Sequence, residues 1–367
     1  MTRCARLAAA LAACTLLAGC MEKEPIRVGF IGDLTGVSAD LGEAGRNGVI
    51  LAIEQYNQAG GVNGRHIDLL ARDTASKTET AVASARELHD ANVVAVIGPM
   101  TSNMAEVLLP FHDAEQLVLL SPTVSTAKFV GRDDYLFRVN WTTRDDGQQA
   151  AKACLQRGIR RLAAAINLDN RTYADSWLHE FSLTFEEGGG KIIATQPFHS
   201  ADESIRSVVD NLLESRPDGL AFIAGAADTA RLAQMTRKLN RDIPLIATEW
   251  AGTEQLIELG GASVEGMTIL LPFNADDNSP HYYDFQQRYI RRFGRQPGAS
   301  SALAYDAATV LLDALGRRPN GMPLKDALTG LGPFHGLQET IQFDRYGDTQ
   351  RTATMAIVRN GRFTRNP

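Results

Sequence analysis

The sequence predicts an α/β fold in two lobes, each a mainly parallel sheet flanked by helices. Three observations lead there. From Ile26 onward, short uncharged apolar runs alternate with amphipathic stretches of helical period, the pattern of a parallel sheet with crossover helices. The chain beyond its first segment, about 345 residues, is long for one hydrophobic core. Both halves show the same alternation, and no short repeat or low-complexity tract interrupts it.

Residues 1–19 read as a leader rather than fold. Arg3 and Arg6 make a positive start, and Leu7–Leu17 is apolar but too short to span a bilayer. Leu17-Ala18-Gly19-Cys20 then closes the segment. This order resembles a bacterial lipoprotein signal, which implies lipid on Cys20 and a short tether over residues 20–25. More than one acyl chain on that cysteine holds a protein to a membrane without a spanning helix. Of the four cysteines, Cys4 and Cys14 leave with the leader, so Cys154 stands alone. That excludes an intramolecular disulfide and a cysteine metal cluster in the mature chain. Cys154 falls among Ala150, Ala151 and Leu155 and reads as a small buried apolar residue. The chain carries 37 Lys+Arg against 43 Asp+Glu, an acidic balance that argues against nucleic acid as a partner.

The elements follow in order. Ile26–Gly32 is a strand, Asp33–Asp40 a loop, and Val49, Ile50, Ile53 and Tyr56 share one face of a helix. Gly29, Gly32 and Gly36 miss the dinucleotide-binding spacing. Gly60–Gly64 turns the chain into a strand over His66–Arg72, and Ala81, Val82, Ala85 and Leu88 mark the next helix. Val93–Ile97 is an uncharged strand buried on both faces and stopped by Gly98-Pro99. Thr101, Ser102 and Asn103 are capping types ahead of a helix from Met104 to Ala114. The start of such a helix offers N–H groups and a positive dipole end to an anion, or is simply well capped. Leu117–Leu120 repeats the arrangement and ends in Ser121-Pro122-Thr123-Val124-Ser125-Thr126. Ligands of open α/β sheets bind outside the carboxyl ends of strands, so Ser102 and Ser125 are placed on one rim.

The alternation restarts around Arg138-Val139-Asn140-Trp141. A helix over Gly147–Arg157 leads to a strand over Arg161–Ile166, then a polar loop, Tyr173, and a helix carrying Trp177, Leu178 and Phe181. Further strands are expected at Lys191–Ala194, Gly219–Ala224, Leu245–Ala247 and Val264–Leu271. Helices carry Ile205, Val208, Val209 and Leu212, then Ala230, Leu232, Ala233 and Met235. Long helices cover Tyr282–Phe293 and Ser300–Leu315, and a closing strand pair is expected from Thr340–Asp348 and Thr354–Val358.

Glu249 ends the strand Leu245–Ala247 at its carboxyl side, where a surface salt bridge is less natural than on a helix face. It either accepts an ammonium or caps a helix over Thr253–Leu259. Enzyme signatures are missing: no H-E-x-x-H, no G-x-S-x-G and no phosphate loop. His66, His89, His112, His179 and His199 fall on separate elements and read as surface or turn residues rather than metal ligands. No catalytic residue, cofactor or metal is assigned. Asp276-Asp277-Asn278 lacks a calcium-loop spacing and reads as a solvated connection.

Several blocks carry a family resemblance: Ile31-Gly32-Asp33-Leu34-Thr35-Gly36, Asn57-Gln58-Ala59-Gly60-Gly61-Val62-Asn63-Gly64, Val96-Ile97-Gly98-Pro99, Ser121-Pro122 and Leu303-Ala304-Tyr305-Asp306-Ala307. From Ile26 to Phe363 the chain resembles the type I periplasmic binding proteins of the branched-chain amino-acid family. The resemblance implies two Rossmann-like lobes joined by three crossovers, near Arg138–Trp141, Pro272–Ala275 and Gln342–Asp344. Lobe one would hold 26–140 plus 274–341, and lobe two 141–273 plus 342–367. It implies that Ser102 and Ser125, with Thr123 in the same loop, hold a ligand carboxylate, and that Glu249 takes the ammonium. Tyr173 and Leu41 fall where the family contacts the ligand. Two departures stand out: Ala226 and Ala227 replace aromatics of branched-chain binders, and Thr101 stands where the family carries a disulfide cysteine.

The function these readings imply is a lipid-anchored, extracytoplasmic substrate-binding protein that captures an amino acid and delivers it to an ABC permease. The alternatives are the same fold holding an amide, urea or an aromatic carboxylate, or a sensory ligand-binding module.

Overall fold

The computed structural model describes residues 23–201 and 204–365; the leader and Cys20 lie outside the described residues. Strand β1 (Ile26–Gly32), helix α1 (Ala39–Gln58), β2 (Ile67–Asp73), α2 (Thr78–Asp90), β3 (Val96–Ile97), α3 (Ser102–Ala114), β4 (Leu119–Ser121) and β5 (Leu136–Arg138) build the first lobe. Their sheet runs β2-β1-β3-β4-β5 with every neighbour parallel. The residues of β3 are fully buried, as an uncharged Val/Ile run covered on both faces requires. Its backbone pairing reaches further, from Val94 N–H on Arg27 O to Gly98 N–H on Leu120 O.

The second lobe takes α4 (Thr143–Gln156), β6 (Arg161–Asn167), α5 (Arg171–Glu187), β7 (Lys191–Phe198), α6 (Ile205–Glu214), β8 (Gly219–Ile223), α7 (Ala226–Leu239), β9 (Leu245–Ala247), α8 (Glu254–Gly260) and β10 (Thr268–Leu271). The chain then adds α9 (Pro280–Phe293), α10 (Ala299–Arg317) and α11 (Leu324–Gly330) to the first lobe. There α10 crosses α1 at Gly48, where a Cβ would stand 2.1 Å from the Ser301 carbonyl oxygen. Only glycine permits that approach. The start of α9 shows why the sequence breaks there: Ser279 accepts from Tyr282 N–H, Pro280 opens the helix, and Gly294 ends it at φ 74°.

The closing strands differ from expectation. Thr340–Asp348 is not one strand: β12 (Thr340–Ile341) pairs with β11 (Phe334–His335). Asp344 then accepts from the N–H groups of Tyr346 and Asp348, folding the segment into a turn. The hairpin that completes the second sheet is β13 (Thr354–Arg359) with β14 (Arg362–Arg365), antiparallel, in the order β14-β13-β10-β9-β8-β6-β7. Its turn is Asn360-Gly361, both at positive φ, as a tight hairpin demands. Phe343 packs edge-on against Phe137 at 5.3 Å, so the final passage between the lobes comes after Thr349 rather than at Gln342–Asp344. Helix α11 had a signal in Leu324, Ala327 and Leu328 on one buried face.

One histidine departs from the surface reading. His112 is fully buried, its Nδ1 paired with Leu117 O at 2.9 Å, and burial pushes its pKa down to about 4. It is a neutral core residue. Cys154 is buried, and burial raises its thiol pKa to about 12, so it stays an unreactive thiol. Among the described residues no helix is long and apolar enough to cross a membrane.

The two lobes are closed on one another. Asn103, at the start of α3, uses all its polar side-chain atoms across the cleft: Nδ2 donates to Asp169 O at 2.8 Å and Oδ1 accepts from Thr172 N–H at 2.8 Å. Its backbone N–H donates to Asn170 Oδ1 at 3.1 Å. On the other side Thr253 Oγ1 donates to Asp40 Oδ2 at 2.9 Å.

Candidate functional site

The cleft side of the first lobe is built from two strand ends. After β3, Gly98 sits at φ 120°, and a Cβ there would meet Ile31 O at 2.0 Å, so glycine is required to turn the chain. Ser121 Oγ donates to Pro99 O at 2.8 Å and accepts from Val124 N–H at 3.0 Å, which ties the second loop to the first. Thr123 Oγ1 donates to Met100 O at 2.6 Å, leaving only lone pairs for anything else. Ser102 is the first residue of α3, and its Oγ accepts from Thr126 N–H at 3.4 Å, so its own hydrogen is uncommitted. That hydroxyl, at a helix N-terminus, suits an anion.

The second lobe contributes one charge to the cavity wall. Glu249 opens a short 3₁₀ turn after β9, and its carboxylate takes Trp141 Nε1–H at 2.5 Å and Asn140 Nδ2–H at 3.2 Å. Burial pushes its pKa up to about 7, against the pull of Ser125, Trp141 and Asn140, which favour the ion. Glu249 does not cap the following helix, α8. That helix starts behind Thr253, whose hydroxyl goes to Asp40. Tyr173, on the first turn of α5, is buried with its ring edge-on to Trp250 at 5.9 Å.

Between the lobes these residues line one cavity. Leu41, Ser102, Thr123, Tyr173 and Glu249 all line it. Ser125 does not. It is fully buried, its Oγ has no hydrogen bond of good geometry, and it lies against Glu249. The two serines therefore do not form one seat: Ser102 faces the cavity and Ser125 backs the carboxylate. Cys20 lies outside the described residues.

Sequence reasoning missed part of the wall. Asn140 and Asn170 line it as neutral polar groups, and Ala299, Ser300 and Leu303 bring the start of α10 to it. The second helix N-terminus had a signal: Gly298 followed by two serines ahead of an apolar face. Trp250 supplies an aromatic wall from the residue after Glu249. Its indole covers Gly225, where a Cβ would lie 3.4 Å from the ring. Ala226 is buried at the start of α7, away from the cavity lining. Glu249 is the one charged residue that lines the cavity among the described residues.

A family model described as periplasmic binding protein matches residues 25–362. The leucine-, isoleucine-, valine-, threonine- and alanine-binding protein of Pseudomonas aeruginosa is 24% identical over 352 residues, covering 94% of this chain and 93% of its own. A branched-chain amino acid transporter substrate-binding protein of Streptococcus pneumoniae, solved with isoleucine, superposes with a TM-score of 0.85 at 22% identity, over 92% of this chain and 97% of that one. A solute-binding protein of Rhodopseudomonas palustris, solved with 3,4-dihydroxybenzoic acid, gives 0.83 at 19% identity, over 92% and 95% of the two chains.

Proposed function

The chain belongs to the periplasmic binding protein family, and on that premise we propose that it captures an α-amino acid between its lobes for an ABC importer. The observation that carries this reading is Glu249, a part-buried carboxylate lining the cavity, held by neutral donors and, among the described residues, in no ion pair. An ammonium completes that site, since a buried charge needs a partner. On the opposite wall Ser102 at the start of α3 and Ser300 at the start of α10 offer donors to a carboxylate. Thr123 lends lone pairs, Tyr173 and Trp250 supply aromatic surface, and Leu41, Met100 and Leu303 close the apolar side. Ser125 supports Glu249 from behind.

The same charge weighs against an aromatic carboxylate, which would bring a second anion beside Glu249. Urea and simple amides can donate to Glu249 but leave the helix-terminal donors without an anion. The lipoprotein pattern at Leu17–Cys20 supports an extracytoplasmic protein anchored to a membrane through Cys20.

A thermal-shift panel of amino acids, amides, urea and aromatic acids tests the ligand class. Zwitterionic amino acids should raise the melting temperature by ligand linkage. A shift confined to non-amino solutes overturns the amino-acid reading.

A further inference from the structure

The second sheet leaves part of one face bare. Along β13, Ala356 and Val358 pack into the core shared with α6, α7 and α8. Side chains alternate along a strand, so Met355 and Ile357 point to the opposite face, and both stay part-exposed. They pair there with Leu270 and Thr268 of β10. Helix α4 crosses this face. Ala150, Ala153, Cys154 and Arg157 recur on it at helical spacing, and the first three are small. A wall of small side chains over a floor of Ile246, Leu270 and Met355 leaves a groove of about 400 Å³, within the range of small-molecule sites. It shares no lining residue with the interlobe cavity.

The groove is apolar along its length and charged at one end. Arg157 follows the last residue of α4, and its Nη1–H donates to Thr268 Oγ1 at 2.7 Å. That bond lays the guanidinium across the sheet face instead of over the carbonyls at the helix end. Thr268 is buried, and its hydroxyl in turn donates to Leu245 O at 3.5 Å, so the acceptor is held in place. No carboxylate lines the groove, and among the described residues Arg157 makes no ion pair. Its Nε and Nη2 keep N–H groups in the fork that matches a carboxylate. From Ala150 to Arg157 the helix rises roughly 10 Å, enough to lay a short hydrocarbon chain beside it.

We propose that this groove is a second binding site, for a monocarboxylic acid with an unbranched apolar body. The carboxylate pairs with Arg157, and the chain lies along Leu270 and Met355. An alcohol of the same length buries the same apolar surface without the charge-assisted pair. An amine of that length brings a second cation to Arg157 and is repelled.

Methyl NMR of the full chain with ¹³C-labelled methionine tests this at neutral pH, by titration with octanoate, octan-1-ol and octylamine. Met355 lines the groove and Met100 the interlobe cavity, so the two methyls report the two sites separately. Met355→Leu and Met100→Leu assign their peaks. Octanoate should move the Met355 peak saturably and leave Met100 in place. Octan-1-ol should bind about tenfold more weakly, and octylamine more weakly still. Arg157→Gln, which can keep a hydrogen bond to Thr268 Oγ1, should bring octanoate down to the level of octan-1-ol. Octanoate moving Met100 alone, a Met355 shift that does not saturate, or an equal affinity for octan-1-ol overturns the proposal. A Met355 peak that octanoate leaves in place but higher chain concentration moves assigns the groove to a second copy, and the proposal fails. The comparison of octanoate with octan-1-ol is made on the wild-type chain, so it decides even if Arg157→Gln misfolds.

Discussion

Replacing Glu249 with glutamine separates the binding role of this carboxylate from any structural one. Glutamine can keep its Oε1 on Trp141 Nε1–H and Asn140 Nδ2–H, where the carboxylate oxygen now sits at 2.5 and 3.2 Å. It loses only the charge. A charge-assisted bond to a ligand ammonium contributes about 1.5–3 kcal/mol, so affinity should fall by roughly 10- to 150-fold. The sign of the pH effect follows from burial, which raises the Glu249 pKa to about 7. Only the ionised form attracts an ammonium, so wild-type affinity should rise nearly tenfold per pH unit below that value and level off above it. Glu249→Gln should show no such slope. Stability moves the other way. A carboxyl whose folded pKa is raised favours the fold below its ordinary value, and that contribution is lost as pH climbs through about 7. At pH 8 the free variant should therefore melt at the same temperature as wild type or higher. Calorimetric titrations from pH 6 to pH 8, run beside thermal melts, read both effects. Equal affinity and an equal pH slope in the two proteins would refute the assignment.

Other perturbations test the frame around the site. Asn103→Ala removes two interlobe hydrogen bonds without touching the cavity. At about 1 kcal/mol each, amino-acid affinity should fall by about tenfold or more in calorimetry, with little change in the melt of the free chain. Gly48→Ala forces a Cβ within 2.1 Å of Ser301 O, so the α1–α10 crossing must open and the melting temperature should drop by several degrees. Glu254 is part-buried with its pKa raised to about 7 by burial, so its ionised form disfavours the fold as pH rises from about 4.5 through that value. Glu254→Gln should therefore raise the melting temperature at pH 8 and change it little at pH 4.

The alternation of uncharged strands with amphipathic helices made both sheets readable, because in a parallel sheet burial on two faces imposes apolar runs. The site was readable only where it depends on strand ends. Ser102, Thr123 and Glu249 follow from the rule that loops at the carboxyl edge face the cleft. Ser125 illustrates the limit: the loop was located correctly, but Ser121 folds it into a turn that leaves Ser125 buried off the cavity wall, beside Glu249. Asn140 and Asn170 carry no charge and no periodicity, so nothing local distinguished them from ordinary loop polar residues. The Asn360-Gly361 turn, by contrast, was a usable hairpin signal that Ile341 and Phe343, apolar residues two positions apart, obscured.

The position of the donors to Glu249 bears on how closure couples to ligand. Asn140 and Trp141 lie on the segment joining β5 to α4, the chain's first passage between the lobes, yet both bond a carboxylate carried by the second lobe. The geometry of the passage and the position of the binding carboxylate are thus set by the same hydrogen bonds. Closing the cleft over an empty site would strip solvent from Glu249 and leave its charge to neutral donors or force protonation, both unfavourable. An ammonium reverses that penalty only when the lobes are shut. A ligand whose favourable interaction exists in one conformation shifts the population toward it. The Glu249 charge is then what makes closure conditional, so Glu249→Gln should close more readily without ligand. Small-angle scattering of the free proteins at pH 8 should give a smaller radius of gyration for the variant than for wild type, and equal radii would remove the charge from the closure mechanism.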